Sequence, residues 1–424
     1  MKKKHIARRR FIQYSAAGIP IAASSGILLG ADSSALPEPT QETEGIISTE
    51  ADVLVVGGGT AGTIAAIQAG RAGAKTVLIE RGSQLGGTTT TGGVAFPGLF
   101  DAWGRQVIAG IGWELVRRAV ELDNGSLPDF SKVPERHWQN QVHVNPFVYT
   151  LLAEEAAVNA GVTIAYYEFP LSVECTGDRW MVQTVGPGTH RLVTCRQIID
   201  CTGGASVAGM LNLTRLREDE TQPGSLLYEL GGAHNVGREQ LDQLYVHGAD
   251  SSTSVTLTKA NMDGRKALLE RLRKQKDGAR LLHMQPETAH RESYRILGET
   301  VVTVEDYTAG RVFEDAICYA FYPVDLHTRD GVQPKPLARG MVPTIPLRAL
   351  IPKGSRNIIV AGRCVSSDRL ANSGLRVQAP CMAMGQAAGA AAALAAQMNS
   401  TPLEVPLEDI RGVLRKNGAI VPGT

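Results

Sequence analysis

The chain has 424 residues, of which 43% are hydrophobic, 20% are charged and 5% are aromatic, and its formal net charge is +1. This hydrophobic content excludes a disordered chain, and the balanced charge and scarce aromatic residues argue against nucleic-acid binding. The length predicts either two domains or one large α/β enzyme body.

The N-terminus has the order of an export signal. A basic segment over residues 2–10 precedes an apolar run of small residues over 16–29, and small residues near Ala31 or Ala35 suit cleavage. The apolar run is too short to cross a bilayer, so we expect no stable membrane span.

Arg8-Arg9-Arg10-Phe11-Ile12 resembles the twin-arginine signal. It predicts export of the folded protein by the twin-arginine machinery and a periplasmic or secreted location. An ordinary secretion signal or an uncleaved anchor is the alternative. We assign residues 1–35 to the signal and 36–50 to a linker.

The first elements of the mature chain form a βαβ unit. Asp52–Val56 is a continuous apolar run, typical of a buried parallel strand, and it leads into Gly57-Gly58-Gly59-Thr60-Ala61-Gly62. A helix is predicted over Thr63–Arg71, and a second strand over Lys75–Ile79 ends at Glu80. This G-x-G-x-x-G motif in its βαβ context predicts dinucleotide binding.

Each residue type in the motif has a physical role. Gly57 permits the tight turn, Gly59 lets a pyrophosphate approach the backbone, and Gly62 lets the helix pack closely. Thr60-Ala61 lead into the helix, whose N-terminal N–H groups attract phosphate. Glu80 is placed to accept ribose hydroxyls, which argues against NADP and leaves NAD and FAD.

Three later features favour FAD. The loop Gly86-Gly87-Thr88-Thr89 through Gly93 offers N–H groups and hydroxyls with little bulk, although a surface loop is the alternative. The predicted strand over 197–200 runs into Thr202-Gly203. Another strand over 357–361 runs into Gly362 and precedes a small-residue helix over Pro380–Gln397.

The middle of the chain predicts a meander. A helix over Phe147–Asn159 and a strand over Val162–Tyr167 precede three β-segments. These are Leu171–Cys175, Trp180–Val185 and Arg191–Cys195, separated by glycine turns.

The cysteines lack the spacing of a haem or iron–sulfur site, and we predict no metal. We expect free thiols, with Cys381 packed at a helix N-terminus rather than acting in redox chemistry. The six cysteines are Cys175, Cys195, Cys201, Cys318, Cys364 and Cys381.

The sequence resembles the bacterial FAD-dependent oxidoreductases of the glutathione-reductase-like fold, which are distant relatives of the fumarate reductase and succinate dehydrogenase flavoproteins. The stretches that carry the resemblance are Gly57–Gly62, Glu80-Arg81, Gly86–Gly93, His290–Gly298, Tyr322–His327, Ile351–Gly354, Val360–Cys364, Arg376 and Pro380–Gly389.

The resemblance implies an α/β fold with a Rossmann-like FAD-binding domain, built of a parallel sheet and a β-meander, and a discontinuous α+β cap. FAD is then the cofactor. The FAD domain comprises residues 51–100, 145–208 and 340–400, and the cap comprises 101–144 and 209–339. Residues 401–424 form a C-terminal tail. The substrate would bind where the two domains meet.

Candidate catalytic residues follow from the needs of hydride transfer, namely a base and a cation. His327 is the candidate base, with Asp325 two residues away as its partner after a strand predicted over Ala316–Val324. Arg291 and Arg295 are four residues apart, so a helix would place both on one face to clamp an anionic substrate. A salt-bridged surface helix is the alternative.

Further candidates lie near the C-terminal flavin segment. Arg363 and Arg376 are placed to approach the flavin or the substrate, with structural ion pairs as the alternative. Ser373-Gly374 are predicted to contact the flavin ring through backbone donors. His137 lies in a loop-rich segment that we assign to the surface, with the pocket as the alternative.

The function that we expect is hydride transfer between a small organic substrate and flavin N5. No haem or cluster motif is visible, so electrons must pass to a separate acceptor, which is a quinone, oxygen or a redox protein. No second dinucleotide motif is visible either, which argues against an NAD(P)H half-site. A redox-neutral flavoprotein and a non-catalytic dinucleotide-binding protein are the alternatives.

Overall fold

A computed structural model describes residues 45–231, 240–274, 280–329, 331–332 and 335–423 of the protein. The predicted export signal and residues 36–44 of the predicted linker lie outside the described residues. The described strands are β1 (Ile47–Glu50), β2 (Val53–Val56), β3 (Thr76–Glu80), β4 (Asp101–Ala102), β5 (Arg105–Gln106), β6 (Thr163–Tyr166), β7 (Phe169–Thr176), β8 (Arg179–Gly186), β9 (Thr189–Cys195), β10 (Gln197–Asp200), β11 (Arg215–Leu216), β12 (Gly224–Gly231), β13 (Gln240–Val246), β14 (Arg280–Met284), β15 (Arg295–Ile296), β16 (Ala316–Tyr319), β17 (His327–Thr328), β18 (Gly331–Val332), β19 (Thr344–Pro346) and β20 (Ile358–Val360). The described α-helices are α1 (Thr60–Arg71), α2 (Ile111–Leu122), α3 (Pro146–Asn159), α4 (Ser206–Met210), α5 (Ser254–Lys274), α6 (Val304–Thr308), α7 (Arg369–Leu375), α8 (Gln378–Met398) and α9 (Leu407–Lys416).

The centre of the molecule is a five-stranded parallel sheet. Its strand order is β20-β10-β2-β3-β6, and every neighbouring pair is parallel. The residues of β2, Val53–Val56, are buried throughout, as expected of a strand covered on both faces. The sequence prediction of this parallel sheet is confirmed.

The predicted meander forms a second sheet that covers one face of the parallel sheet. Strands β7, β8 and β9 pair antiparallel in chain order, and β1 adds to β9 in parallel. Val182 and Val193 of the meander share an apolar core with Leu54 and Ile79 of the parallel sheet. Residues 47–50 of the predicted linker are therefore a strand, because they find an open edge at β9.

Helices α1 and α8 cover the opposite face and pack unusually closely. A Cβ on Gly385 would lie 2.2 Å from the Ala61 carbonyl oxygen, and one on Gly389 would lie 2.3 Å from that of Ala65. Only glycine fits at either position. By length and composition α8 is apolar enough to cross a membrane, but 89% of its most apolar window is buried inside the protein.

Two helices from stretches that we assigned to the cap and to the C-terminal tail pack in the same core as α1 and α8. Helix α2 lies in the stretch assigned to the cap, yet Ile111 and Leu115 share the core of α1 and α8. The stretch assigned to a C-terminal tail contains α9, which buries Ile410 and Leu414. Each of these helices buries an apolar stripe, and the stripe packs into the core that contains α1 and α8.

A smaller antiparallel sheet lies in the second stretch that was assigned to the cap. It has the order β13-β12-β14, and α5 packs against β12 and β13. Leu226, Tyr228, Val246 and Leu268 form its separate apolar core. The strand predicted over Ala316–Val324 is shorter than expected. It ends at Tyr319, which pairs with Thr344, the first residue of its antiparallel partner β19.

Candidate active site

The glycine turn, residues 57–62, has the geometry of a ligand-binding loop. Gly57 has φ +99°, and a Cβ there would lie 2.7 Å from the Cys201 carbonyl oxygen. A Cβ on Gly62 would lie 1.8 Å from the carbonyl oxygen of Gly57. By contrast, a Cβ on Gly59 would meet no described atom within 4 Å. The turn is thus tightly packed on its inner side and open at Gly59, at the start of α1.

The Gly86–Gly93 loop packs directly onto this turn. The Gly86 N–H donates to the Gly58 carbonyl at 2.9 Å, and the Thr60 hydroxyl donates to the Gly86 carbonyl at 3.1 Å. A Cβ on Gly87 would lie 2.8 Å from the Cα of Gly59. Thr88 is half-buried, and the buried Thr89 hydroxyl bonds the side chain of Gln378 at the start of α8. The loop is therefore a built part of the site and not a surface loop.

Glu80 lies beside the glycine turn, as its spacing predicts. Its two carboxylate oxygens accept the N–H groups of Gly58 and Gly82, each at 2.7 Å. Burial raises the pKa of this carboxyl despite these two hydrogen bonds. The neighbouring Arg81 points to solvent and forms a long ion pair with Glu287, at 3.4 Å. The structure thus places Glu80, but not the Arg81 side chain, against the turn.

The other nucleotide-side candidates brace the C-terminal ends of β10 and β20. The Thr202 hydroxyl donates to Asp200 at 2.7 Å, and a Cβ on Gly362 would contact the Cβ of Ala61 at 3.3 Å. Arg363 donates to the carbonyls of Gly203 and His290, at 2.7 and 2.9 Å, and to Ser251 at 2.8 Å. All three nitrogens of its guanidinium have protein partners, so Arg363 holds segments together.

A second site, the polar cluster, consists of Gln222, Arg291, Asp325, His327 and Arg376. His327 Nε2 lies 3.0 Å from Asp325 Oδ2. The side chains of His327 and Asp325 are only 10% and 18% exposed. The Asp325 N–H donates to the Ser373 hydroxyl at 3.0 Å, which fixes the backbone of the pair. The sequence prediction placed His327 and Asp325 together, and the structure does so.

The pKa values of the pair shift in a direction that suits a base. Burial lowers the pKa of His327 more than the hydrogen bond to Asp325 raises it. The pKa of Asp325 is lowered, because the hydrogen bond from His327 and the nearby Arg376 and Arg291 together outweigh its burial. The pair therefore holds a neutral imidazole against an ionised carboxylate near neutral pH.

Arg376 joins the cluster from the end of α7. Its Nη2 donates to the Asp325 carbonyl and to Gln222 Oε1, each at 3.3 Å, and lies 3.9 Å from Asp325 Oδ2. Burial lowers the pKa of Arg376. Nearby, a Cβ on Gly374 would lie 2.5 Å from the Tyr307 hydroxyl, so Gly374 is fixed by packing. Ser373 and Gly374 thus support the cluster in this structure, and their predicted flavin contact stays a prediction.

The prediction that Arg291 and Arg295 share a helix face is wrong. Residues 290–294 form an extended segment and Arg295 begins the short strand β15. In an extended chain, residues four apart do not meet as they do on a helix. Arg295 instead pairs with Glu218 and Glu292 and is buried by them. Arg291 alone reaches the cluster, where its guanidinium lies 5.3 Å from the Tyr245 ring centroid.

Sequence reasoning missed several members of this site. Gln222 is 1% exposed, and its Oε1 also accepts the His327 N–H at 3.2 Å. Tyr322 accepts from Gln141 at 2.9 Å, and His137 packs edge-on against its ring. Burial and Asp325 raise the pKa of Tyr322 to about 12. Gln222 belongs to no sequence motif, whereas Tyr322 begins the stretch Tyr322–His327 that carried the family resemblance. The contact between His137 and Tyr322 favours a position of His137 in the pocket over one on the surface.

The cysteines are all free thiols in the structure, as predicted. Burial raises the pKa of Cys381 to about 12, despite its place in the first turn of α8. The thiol is therefore packed and protonated. Among the described residues, no group of three or more His, Cys, Asp or Glu side chains could hold a metal ion.

Comparison with solved structures finds similar chains of low sequence identity. A p-nitrophenol 4-monooxygenase from Pseudomonas putida is 13% identical, over 88% of this chain and 87% of that chain, with a TM-score of 0.45. A geranylgeranyl bacteriochlorophyll reductase-like protein from Thermoplasma acidophilum is 13% identical, over 87% and 84%, with a TM-score of 0.43. An anhydrotetracycline hydroxylase from Streptomyces rimosus is 13% identical, with a TM-score of 0.41. The match covers 87% of this chain but only 66% of the hydroxylase.

The family comparison is the stronger finding. The family model for FAD dependent oxidoreductase matches residues 52–261 and 234–414, which together span most of the chain. The match includes the glycine turn, Glu80, the Gly86–Gly93 loop and the whole polar cluster. The chain therefore belongs to the FAD-dependent oxidoreductase family and takes FAD as its cofactor.

Proposed function

We propose that the protein is an exported enzyme that moves a hydride between a small organic substrate and FAD, with His327 and Asp325 handling the accompanying proton. The observation that carries this proposal is the buried hydrogen bond of 3.0 Å between His327 Nε2 and Asp325 Oδ2. Such a pair is the usual arrangement of a general base and the group that orients it.

The residues of the glycine turn fit a bound dinucleotide. The space beside Gly59 is open, and because the N-cap residue is glycine, no side chain competes for the N–H groups that begin α1. Gly59 and Thr60 would hold the pyrophosphate, Glu80 would accept the ribose hydroxyls, and Gly86-Gly87 would line the other side. When bound, FAD supplies the N5 atom that accepts or returns a hydride.

The tautomer of His327 decides where a proton can go. Because ionised Asp325 can only accept, the Nε2 of a neutral His327 donates to it, and Nδ1 then carries the lone pair. His327 Nδ1 is buried and has no hydrogen-bond partner among the described residues. In oxidation of a substrate hydroxyl or activated C–H, Nδ1 would accept the proton. Asp325 would stabilise the resulting imidazolium.

The substrate position follows from the origin of the cluster. Gln222, Arg291 and His327 come from the stretch that we assign to the cap, and Arg376 comes from the stretch that we assign to the FAD domain. The polar cluster therefore joins the two predicted parts, which is where small-molecule sites are common. Electrons would leave to a separate acceptor, for which a quinone, oxygen or a redox protein is the candidate.

The experiment is spectroscopic. The purified, folded mature protein should show a flavin band that acid precipitation releases into the supernatant. Anaerobic mixing with candidate small organic substrates should bleach this band when the right one is added. If the enzyme converts a substrate and the flavin band does not bleach, this result would contradict hydride transfer and favour the redox-neutral alternative. A protein that takes up no flavin would contradict the proposal altogether.

Export has its own test. Replacing both Arg8 and Arg9 by lysine keeps the charge of the signal and removes the twin arginines. We expect the folded protein to accumulate in the cytoplasm, whereas the matched Lys2→Arg and Lys3→Arg double variant should be exported normally. Unchanged export of the Arg8→Lys and Arg9→Lys double variant would contradict the twin-arginine route.

A further inference from the structure

We infer that the polar cluster binds a carboxylate group of the substrate, with Gln222 and Arg376 as hydrogen-bond donors and Arg291 as a second counter-charge. This inference rests on the proposed function, because it names the chemical class of the substrate at the same site. It also adds Gln222 to the binding residues.

Two unpaired donors in the cluster point to a missing acceptor. Gln222 Oε1 accepts from both His327 N and Arg376 Nη2, so the orientation of its amide is fixed by two donors. The remaining Gln222 Nε2 is buried and has no partner among the described residues, and the same is true of Arg376 Nε. A buried donor left unpaired is costly, so both N–H groups are expected to meet an acceptor from a ligand.

The net charge of the polar cluster indicates that the ligand group accepting these hydrogen bonds is an anion. Arg291 donates to the Pro223 carbonyl at 2.7 Å and forms no ion pair among the described residues. Arg376 has Asp325 at 3.9 Å as its nearest carboxylate, and His327 shares the same oxygen. Two largely buried guanidinium groups therefore lie near one carboxylate.

The neighbouring acid does not correct this imbalance. Glu292 is buried beside Gln222, but its oxygens already accept from Arg369, at 2.9 and 3.1 Å, and from the Gln222 N–H at 2.9 Å. Arg295 also pairs with it. The polar cluster keeps an excess of one positive charge, and one carboxylate of a ligand would neutralise it.

A monocarboxylate fits the cluster better than a phosphate. One excess positive charge matches one negative charge, and the two unpaired N–H groups match the two oxygens of a carboxylate. Bound there, the carboxylate would share the polar cluster with His327, whose Nδ1 has no partner among the described residues. The rest of the molecule would then be placed for proton transfer to the imidazole.

The test is a binding titration of the FAD-loaded enzyme that needs no turnover. Propanoate, propanamide and methyl phosphate are titrated by calorimetry into the wild type and into Gln222→Glu. That variant keeps an oxygen for His327 and Arg376 but replaces the Nε2 donor with negative charge. We expect the propanoate affinity to fall by about tenfold or more, and the propanamide affinity to stay unchanged. Gln183→Glu, at an exposed position of β8, is the matched control and should bind propanoate like the wild type.

Each outcome decides the inference. Equal propanoate affinity of wild type and Gln222→Glu, no propanoate binding by the wild type, or preference for methyl phosphate would overturn it. Loss of FAD from Gln222→Glu would mean that these donors face the flavin instead. If Gln222→Glu does not fold, Arg291→Gln replaces it, with the same tenfold expectation. Carboxylate binding without any substrate that bleaches the flavin would leave this inference standing and overturn hydride transfer.

Discussion

The glycine turn and the polar cluster, each of which we propose to hold a ligand, are built by opposite means. The glycine turn works through the absence of side chains, since Gly57 and Gly62 are in backbone contact and Gly59 leaves open space. The polar cluster instead contains buried N–H groups that have no hydrogen-bond partner among the described residues, namely those of Gln222 Nε2 and Arg376 Nε. The glycine turn should therefore be sensitive to added side-chain volume. The polar cluster should be sensitive to changes of charge and to the loss of hydrogen-bond donors.

The largest effect is expected from added volume inside the glycine turn. In Gly62→Ala the new Cβ would lie 1.8 Å from the Gly57 carbonyl oxygen. Because the obstacle is backbone, we expect a loss of about 3 kcal/mol or more in the free energy of unfolding, together with loss of FAD. Thermal unfolding and the flavin content of the purified variant measure both.

The matched variant Gly59→Ala separates folding from cofactor binding. Its Cβ meets no described atom within 4 Å, and its φ of −69° is allowed for alanine. We expect wild-type stability of the FAD-free protein and a much weaker affinity for FAD. Full FAD affinity in Gly59→Ala would show that the pyrophosphate does not approach this residue.

In the polar cluster, a change of charge should slow chemistry and leave the fold intact. Asp325→Asn keeps the size of the side chain but removes the carboxylate that orients His327. We expect the rate constant of flavin reduction to fall by roughly 10²- to 10⁴-fold with normal flavin content. Anaerobic stopped-flow measurement at one pH tests this, and a normal rate would remove Asp325 from the account.

His290 precedes the cluster residue Arg291, and its effect on stability depends on pH. Burial, with a smaller contribution from Arg363, lowers its pKa from 6.5 to about 3. Between these values the unfolded chain binds a proton that the folded protein does not. The free energy of unfolding therefore falls as the pH falls, by about 1.4 kcal/mol per pH unit from this residue. Urea unfolding of the wild type and His290→Asn should show a shallower decline in the variant, and parallel curves would contradict the assignment.

The smallest effect is expected at Arg81. Its side chain is 54% exposed, and its ion pair with Glu287 is 3.4 Å long. We expect Arg81→Ala to change the free energy of unfolding by less than about 1 kcal/mol and to retain FAD. A large loss of FAD affinity would mean that Arg81 turns toward the cofactor when it binds, which would restore its predicted role.

The same contrast explains what the sequence could predict. The glycine turn, β2, α1 and β3 follow one another in the chain, so residue spacing alone locates them, and the structure confirms each. The polar cluster joins four distant stretches of chain, and only the His327–Asp325 spacing was local enough to be seen in the sequence. Gln222 is an ordinary glutamine until tertiary packing buries it. Arg291 and Arg295 show the opposite failure, because helical spacing was assumed for a segment that is extended.

The most direct test of the account is the anaerobic reduction of bound FAD in wild type and His327→Gln as a function of pH, with the substrate that bleaches the wild type. Burial lowers the pKa of His327, so the wild-type rate should begin to decline only at pH values more acidic than those at which an ordinary imidazole is protonated. The variant should bind FAD normally and reduce it slowly, without that decline. A variant with the wild-type rate and the wild-type pH profile would show that His327 is not the base and would contradict the proposed proton transfer to this residue.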